Sequence, residues 1–505
     1  MKKILYSSLF LSIFQSILFW HKSLGLSVII FLTATIILIT YNLKGKEMIK
    51  NKKGLIWAIP IELLGLTYFI FNNNFFRILN IPVILVLFVI MCISTTETKT
   101  IENKFIRQIL GKIFKPFAVL FDFISDFDMD KFLDKKKENQ NSKSDNIKKV
   151  AKSLLIAIPV ILVIIFLLSS ADSVFGSIFD KLTKAISKML EIETINDLIG
   201  RIVVIAIAFV YISGFIIAFA KNEKQEETEE KSKGIKLSDL TIKMLLVSLN
   251  IIYLLFSVIQ FKYLFINAGR TANFDYATYA RTGFFQLMFV SFINFALLHI
   301  CKKNKENNKL LKIMLIIFTI IIVISAAFRM HLYEQEYGYT YLRLFVYFTL
   351  MTEILVLILI LAKICGRKID TFKTTIQIIV IMYVILNFIN IDKTIAKNNI
   401  DKYLADVENE SIDFYYLSEI TRTDSIEEQL RILNKSAEGL SAEANEYLTN
   451  LKASVKTNLR WYKTQYGKEY KPSFAELNLS KLRVESLLEN VDLTDRSMNY
   501  ENNWK

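Results

Sequence analysis

A series of long apolar runs separated by short polar stretches covers residues 4–391 and constrains this chain more than any other feature. A helix needs about 20 apolar residues to cross the hydrocarbon core of a bilayer, and these runs come close to that length or exceed it. With 53% hydrophobic residues and a mean hydropathy of +0.37, the composition excludes an ordinary soluble protein. The chain is predicted to be an all-α polytopic membrane helix bundle of about 11 spans. The predicted spans are Ile4–Trp20, Leu24–Leu43, Gly54–Phe71, Ile78–Ser94, Ser153–Ser170, Ile202–Ala220, Ile242–Phe265, Phe284–Ile300, Leu310–Phe328, Leu344–Leu361 and Ile376–Ile391.

The uneven distribution of charge predicts an orientation. Residues 1–391 carry 46 Lys+Arg against 28 Asp+Glu, whereas residues 392–505 carry 16 against 20. With a cytoplasmic N-terminus, the cytoplasmic segments hold 35 Lys+Arg and the outer loops 11, as the positive-inside rule requires. Eleven spans then place the C-terminus outside the cell. This rule explains the net charge of +14 without a nucleic acid, so the expected partner is the lipid bilayer. The abundance of Ile, Lys and Asn is typical of an AT-rich bacterial genome, which predicts a bacterial plasma membrane.

Four regions follow from this pattern. Residues 1–94 form an N-terminal four-span segment, and residues 95–152 form a basic cytoplasmic loop containing an amphipathic helix. That helix lies either on the inner membrane surface or against the protein's own cytoplasmic face. Residues 153–391 form a seven-span membrane core, and residues 392–505 form a small, mostly helical extracytoplasmic C-terminal domain. One helical face of this domain is predicted from the spacing of Leu440, Ala444, Tyr447, Leu448, Leu451, Val455, Leu459 and Tyr462.

A concentration of charged and tyrosine residues lies between the ninth and tenth predicted spans, at Arg329–Arg343. So short a loop between two spans should lie at the membrane surface, where charges tend to pair or to serve a function. A charge network is predicted from Asp172, Arg281, Arg329, Tyr333, Glu334, Glu336, Tyr337 and Arg343. Arg binds carboxylates and phosphates in a planar fork, so the network could hold an anionic or polar ligand or an envelope protein at the outer face. The alternative is an interfacial girdle of aromatic residues and ion pairs that only holds the spans together. Gly338 is expected to permit a tight turn or a close helix approach.

Three of the predicted outer stretches form a pattern typical of a known family. They read S-A-D-S-V-F at Ser170–Phe175, Y-A-R-T-G-F-F at Tyr279–Phe285 and L-Y-E-x-x-Y-G-Y-T-x-x-R at Leu332–Arg343. Together they resemble a bacterial membrane family catalogued as domain of unknown function 4173, related to domain of unknown function 4153. In the C-terminal region, I-D-F-Y-Y-L at Ile412–Leu417 and L-N-L-S-K-L-R at Leu477–Arg483 extend the resemblance to about residues 150–490. The tail motif departs from its relatives, which usually carry Trp where this chain has Leu477. The resemblance implies a membrane fold and no activity.

Two carboxylates, Glu62 and Glu353, are predicted to lie near mid-membrane. A carboxylate at that depth either binds a proton or cation, or is protonated and hydrogen-bonded between helices. Three functions remain open. The first is a non-enzymatic envelope protein that binds at the outer cluster, the second a secondary transporter using both carboxylates, and the third a membrane enzyme acting on a lipid head group. No nucleophile motif, phosphate loop or Cys/His spacing occurs, so no catalytic residue, metal site or cofactor is predicted.

Overall fold

The computed structural model describes residues 2–45, 47–96, 105, 108–116, 193–220, 239–260, 276–300, 308–420 and 422–493. Within these ranges the regular elements are helices, and no strand occurs. The first ten are α1 Lys2–Phe19, α2 Leu26–Lys44, α3 Ala58–Ile70, α4 Asn74–Thr96, α5 Glu193–Ala220, α6 Asp239–Gln260, α7 Tyr276–Ile300, α8 Lys309–Tyr337, α9 Tyr341–Ile364 and α10 Thr371–Phe388. The C-terminal region adds α11 Ile391–Ala405, α12 Phe414–Ile420, α13 Ile426–Leu433, α14 Ala442–Tyr466 and α15 Leu479–Leu488. Short 3-10 helices occupy Lys52–Trp57, Thr423–Ser425 and Phe474–Glu476.

Eight helices of the described ranges are long and apolar enough to cross a membrane, which indicates a membrane protein. Two further predicted spans correspond to shorter apolar helices, at Lys3–Phe19 and Gln286–Leu298. The remaining predicted span, Ser153–Ser170, lies outside the described residues. The predicted all-helical membrane fold is therefore confirmed, whereas the count of 11 spans stays a prediction.

The chain divides into two compact units, and the first contains residues 1–66, 79–224 and 472–477. Here α1 packs against α5 through a stripe of small residues four apart, Ser8, Ser12 and Ser16, each almost completely buried. Small side chains let two helix backbones approach closely, which is how helices associate in lipid. Arg201 of α5 secures the contact, because its Nε donates a hydrogen bond to Ser16 Oγ at 2.9 Å.

Of the basic loop predicted at 95–152, residues 95 and 96 belong to the end of α4, and the other described residues, 105 and 108–116, are helical. Lys112 Nζ donates to the Ala218 carbonyl at 3.2 Å and lies 4.8 Å from the centre of the Phe219 ring. A Cβ at Gly214 would meet the Pro116 backbone at 2.8 Å. This segment therefore packs on the C-terminal end of α5, whereas its place on the inner membrane surface or on the cytoplasmic face stays a prediction.

A segment from the C-terminal region packs against the α1–α2 loop in this unit. The Ser23 N–H donates to Glu476 Oε1 at 3.0 Å, and the Leu26 N–H donates to the Leu477 carbonyl at 2.9 Å. The approach is so close that a Cβ at Gly25 would lie 2.5 Å from the Leu477 carbonyl oxygen. Gly25 is therefore required for the contact.

We expect Gly25→Ala to separate the α1–α2 loop from residues 472–477, at a cost of about 1–3 kcal/mol for the overpacking. Hydrogen exchange at the Leu26 amide should rise, because that amide loses its acceptor. Gly45→Ala is the matched control, since its Cβ would meet only ordinary contacts beginning at 3.4 Å. Unchanged exchange at Leu26 in the Gly25 variant would contradict this account.

The second unit contains residues 67–78, 225–471 and 478–505. Hydrogen bonds join three of its membrane helices: the Tyr253 hydroxyl of α6 donates to Asn294 Oδ1 of α7 at 2.8 Å, and Asn294 Nδ2 donates to Thr319 Oγ1 of α8 at 3.0 Å. Polar side chains that pair between helices hold a bundle together in lipid, where the hydrophobic effect is weak. Asn294 therefore has a structural role.

The C-terminal helices share a hydrophobic core that also includes Phe76 of α4 and Leu386 of α10. The predicted apolar face appears on α14, where Ala444, Leu448, Leu451, Val455, Leu459 and Tyr462 are buried. Of the other two predicted members, Leu440 precedes the helix and Tyr447 remains 36% exposed. Because the core extends into α4 and α10, the C-terminal helices pack onto the ends of membrane helices rather than forming a separate core.

One prediction about local structure is wrong. Residues 329–343 are not a loop, because α8 continues to Tyr337 and α9 begins at Tyr341. The connection is only residues 338–340, where Gly338 adopts φ +75° and ends α8. The apolar run stops at Phe328, but a helix ends where its backbone hydrogen bonds end, and charged side chains do not interrupt them.

Candidate functional site

The predicted cluster at residues 329–343 divides between the last turns of α8 and the first turn of α9. Arg329 is 6% exposed, and its Nη2 donates to Gln260 Oε1 of α6 at 3.2 Å. Glu334 is 3% exposed and accepts a hydrogen bond from the Tyr347 hydroxyl at 2.9 Å. His331 Nδ1 lies 3.9 Å from the same Glu334 oxygen. These side chains link α8 to α6 and α9.

Arg343 closes the turn between the two helices. Its Nη1 donates to the Tyr337 carbonyl at 2.9 Å and to the Gly338 carbonyl, both at the C-terminus of α8. Its guanidinium lies 4.5 Å from the centre of the Tyr333 ring and 5.9 Å from that of Tyr337. A cation at a helix C-terminus is favoured by the helix dipole, and the aromatic faces add cation–π attraction. Arg343 therefore stabilises the turn.

The structure brings Tyr333, Glu334, Tyr337 and Arg343 together around the α8–α9 turn, with Arg329 directed toward Gln260. Glu336 is exposed, and its carbonyl accepts a hydrogen bond from Lys402 Nζ at 3.0 Å. Two members of the predicted network cannot be placed in it. Asp172 and the side chain of Arg281 lie outside the described residues. The complete network stays a prediction.

A second polar cluster, which no sequence pattern predicted, forms where the α3–α4 turn meets the C-terminal helices. We call Asn72, Asn73, Asp392, Thr423 and Asp424 the turn–tail cluster. The Asn72 N–H donates to Asp424 Oδ2 at 2.8 Å, and Asn72 Nδ2 donates to Thr423 Oγ1 at 3.1 Å. Asn73 Nδ2 donates to Asp392 Oδ1 at 2.8 Å. Asparagine suits this turn because its side chain can both donate and accept.

Both carboxyl groups of the turn–tail cluster are deeply buried. Burial raises the pKa of Asp392 well above its usual range, and the nearby charge of Asp424 raises it further, although Arg422 opposes the shift. Burial also raises the pKa of Asp424, although hydrogen bonds from Asn72 and Ser480 oppose it. The second carboxyl oxygen of Asp392 has no hydrogen-bond partner among the described residues. The cluster therefore favours protonated carboxyl groups.

The C-terminus of α3 is capped by a residue from the tail. Asn478 is completely buried, and its Nδ2 donates to the Tyr68 carbonyl at 2.8 Å and to the Phe71 carbonyl at 2.9 Å. Arg77 Nη2 reaches the same two carbonyls at 3.3 Å. The last carbonyls of a helix have no partners within the helix, so these side chains satisfy them.

The third candidate is a cavity of about 370 Å³ between helices α7, α9 and α10. Glu353 lines it and is 6% exposed. The Ser291 hydroxyl of α7 lies near its carboxyl group but donates its hydrogen to the Met288 carbonyl at 2.7 Å, so neither carboxyl oxygen accepts a hydrogen bond among the described residues. Five aromatic side chains also line it: Phe292, Phe295, Phe345, Phe348 and Tyr383. A charged carboxylate that is buried without a hydrogen-bond donor is costly.

Glu62, the other predicted mid-membrane carboxylate, lies on α3 in the first unit, whereas Glu353 is in the second. Its side chain is half-buried, Thr33 of α2 is a hydrogen-bonding neighbour, and one carboxyl oxygen, Oε2, has no hydrogen-bond partner among the residues that the structure describes. Glu62 does not line the cavity beside Glu353. The two carboxylates therefore have different surroundings.

A comparison with protein families gives one match: the family described as domain of unknown function (DUF4153) matches residues 58–432. The chain belongs to this family. No curated protein and no solved structure matches the chain. The DUF4153 match begins well before the predicted resemblance at about residue 150 and ends before the tail motif at Leu477–Arg483.

The DUF4153 region contains the turn–tail cluster, the α8–α9 turn and Glu353, whereas Asn478 lies beyond it. The description of the DUF4153 family names no activity. The function must therefore be argued from the geometry of these three places.

Proposed function

We propose that the protein is a non-enzymatic, multi-pass protein of the bacterial plasma membrane that binds a ligand in the cavity beside Glu353. The observation that carries this proposal is a cavity of about 370 Å³ between α7, α9 and α10, with the buried acidic residue Glu353 in its lining. Ligand sites typically enclose about 300–1,000 Å³ and combine apolar walls with a few polar groups. We also propose a relation to domain of unknown function 4173, on the three motifs of the predicted outer stretches.

The α8–α9 turn, where the sequence first suggested a ligand or an envelope-protein partner, supports binding less well. Arg343 donates to the carbonyls that end α8 and lies over the ring of Tyr333. Glu334 accepts a hydrogen bond from Tyr347. Side chains that already hold two helices together are poorly available to a ligand, so we prefer Glu353.

The proposal is tested with dicyclohexylcarbodiimide, an apolar reagent that adds to protonated carboxyl groups within membranes and forms a stable N-acylurea. We expect the purified full-length protein to be labelled at Glu353, as located by peptide mass spectrometry. The label at this position should disappear in Glu353→Gln and persist in Glu62→Gln, the matched control. An unlabelled Glu353 in a protein labelled at Glu62 would overturn the proposed site.

Secondary transport is the second candidate, because Glu62 and Glu353 are acidic residues within candidate spans, and at least one carboxyl oxygen of each has no hydrogen-bond partner among the described residues. Such groups can carry a coupling proton or cation. In proteoliposomes, transport would acidify or alkalinise the lumen when the ligand is added. Glu62→Gln and Glu353→Gln should each abolish that signal, and a signal unchanged in both would exclude this candidate.

We propose further that 11 spans place the N-terminus in the cytoplasm and the C-terminal helices outside. Hydrogen bonds to one helix, α11, support a common side for the α3–α4 and α8–α9 turns. Asn73 of the first turn bonds to Asp392, and Tyr339 of the second turn bonds to Asn399. Two turns on the same side are separated by an even number of crossings. Helices α4 to α8 supply five, and the predicted span at Ser153–Ser170, outside the described residues, supplies the sixth.

A cysteine-labelling experiment tests this orientation. We expect an impermeant maleimide to label Ser436→Cys in intact cells when the three native cysteines are replaced, because Ser436 is exposed. The control retains only native Cys365, which is exposed at the opposite end of α9 from the α8–α9 turn. That variant should react only after permeabilisation, and the reverse pattern would invert the topology.

A further inference from the structure

The composition of the cavity beside Glu353 defines what can fill it. We propose that the cavity holds one fatty acyl chain, carried by a membrane phospholipid or present as a free fatty acid. This inference rests on the proposed ligand site and adds the class of ligand. Most of the residues that line the cavity are Phe, Val, Ile, Leu or Met, as a hydrocarbon ligand requires. The hydroxyl groups of the lining belong to Thr349, Thr352, Thr375 and Tyr383.

Glu353 does not expose its charge to the cavity. Both of its carboxyl oxygens are covered by protein, so the rest of the side chain forms this part of the wall. Thr349 Oγ1 donates to the Phe345 carbonyl at 2.9 Å. Thr352 Oγ1 donates to the Phe348 carbonyl at 2.6 Å. These two hydroxyl groups have placed their single hydrogens within α9, so they do not require a polar ligand.

The lining of the cavity has the length and direction of an acyl chain in a bilayer. It extends from Phe345 to Val356 on α9 and from Thr375 to Leu386 on α10. At about 1.5 Å per residue, each run covers about 16 Å along its helix, roughly half of a hydrocarbon core of about 30 Å. Both helices are candidate spans, so this axis crosses the bilayer as lipid chains do.

The cavity reaches the surface of the helix bundle. Phe292 of α7 and Ile379 of α10 both line it and are 50% and 49% exposed. Val356, Met382 and Leu386, which also line it, are buried. Because the two exposed residues lie in apolar helices, they face hydrocarbon rather than water. An acyl chain can therefore enter sideways from the bilayer, between α7 and α10.

A chain from the bilayer is a better occupant than water or empty space. Apolar cavities stay dry, because a water molecule there lacks hydrogen-bond partners. An empty cavity lacks the dispersion contacts that a filled cavity gains. The surrounding bilayer supplies acyl chains at high concentration, so mass action favours their binding.

Native mass spectrometry of the full-length protein tests the inference. The protein is purified and stripped of lipid in glyco-diosgenin, a steroid-based detergent that contains no acyl chain. It is then titrated separately with oleic acid and with dioleoylphosphatidylglycerol. We expect binding that saturates at one molecule per chain, and the arm in which it occurs identifies the carrier of the acyl chain. The absence of a saturable first molecule in both arms overturns the inference.

Substitutions in the wall show whether the chain binds in the cavity. Thr352→Phe places a ring in the cavity and should weaken the first binding event by a factor on the order of 10. Thr375→Phe fills the same space from α10 and gives a second measurement if the first variant does not fold. Ile381→Phe, at an exposed position of α10 outside the lining, is the matched control and should leave binding unchanged. Equal binding by all three variants would place the chain elsewhere on the protein and overturn the inference.

The outcomes for the ligand class and for the site are distinguishable, because the carbodiimide test of Glu353 does not depend on lipid binding. Failure of the carbodiimide to label Glu353 contradicts the proposed ligand site itself. Labelling at Glu353 in a protein that binds no acyl chain leaves the site in place and contradicts only the ligand class.

Discussion

Gly338→Ala should destabilise the protein more than the same substitution at any other glycine with positive φ in the described residues. Gly338 has φ +75° and ψ −174°, backbone angles that only glycine adopts readily, so an L side chain there costs about 1–3 kcal/mol. The added Cβ would also lie 2.6 Å from Asn399 Oδ1. Asn399 accepts from the Tyr339 N–H at 2.6 Å and donates to the Tyr339 carbonyl at 2.9 Å. Losing this pair should cost about 1–3 kcal/mol more.

Gly439→Ala is the matched control, because Gly439 has φ +80° with no atom near its Cβ position. It should show the backbone strain alone. Thermal unfolding in detergent, followed by intrinsic fluorescence, measures both losses. Asn399→Ala combined with Gly338→Ala should cost less than the sum of the two single changes, because neighbouring residues are not additive. Equal losses at Gly338 and Gly439 would refute the role of Asn399.

Asp392→Asn should stabilise the protein at pH 8 and make its stability less dependent on pH. Asp392 is completely buried, and its pKa is raised by burial and by Asp424. A carboxyl group with a raised pKa in the folded state contributes its full stability below its ordinary pKa. That stability is lost as the pH rises through the folded-state value. Asn keeps the oxygen that accepts from Asn73 and removes the charge, a gain on the order of 1–3 kcal/mol.

The measurement is the midpoint of thermal unfolding at pH 5 and pH 8. The unmodified protein should be more stable at pH 5 if this group dominates, and Asp392→Asn should reduce the difference. Asp401→Asn is the control: Asp401 is 42% exposed and pairs with Arg431 at 2.5 Å, so its removal should matter little. A large loss of stability in Asp392→Asn at pH 8 would show that the ionised carboxylate is needed.

The sequence was sufficient for the fold class, because hydropathy over about 20 residues reports directly on the ability to span a membrane. It was also sufficient to predict a tight turn or close helix approach at Gly338, because glycine readily adopts a positive φ between two apolar helices. The continuation of α8 to Tyr337 could not be read from hydropathy. Hydropathy reports the transfer of side chains into lipid, whereas α8 is ended by its backbone at Gly338.

The turn–tail cluster escaped prediction for a different reason. Asn73 and Asp392 are 319 positions apart in sequence, and no local spacing relates two residues at such a distance. The three consecutive asparagines at residues 72–74 were a visible signal, but they indicated only a turn. Their partners became evident only once the C-terminal helices were in place.

The sequence predicted that Glu353 lies near mid-membrane, but it did not predict which side chains surround Glu353. A carboxylate in the middle of an apolar run is conspicuous, and its burial follows from the cost of exposing charge to lipid. The cavity depends on how α7, α9 and α10 pack against each other, which no run of residues encodes. The sequence therefore identified the residue, whereas the aromatic lining required the structure.

The capping of α3 by Asn478 has a consequence for biosynthesis. The two residues joined by this contact, Tyr68 and Asn478, are 410 positions apart, so α3 is synthesised long before its cap exists. A nascent chain inserted in the membrane carries the Tyr68 and Phe71 carbonyls without Asn478 until translation is nearly finished. A chain that stops before residue 478 can never complete this helix end. Completion of the C-terminus of α3 therefore distinguishes a fully translated chain from an interrupted one.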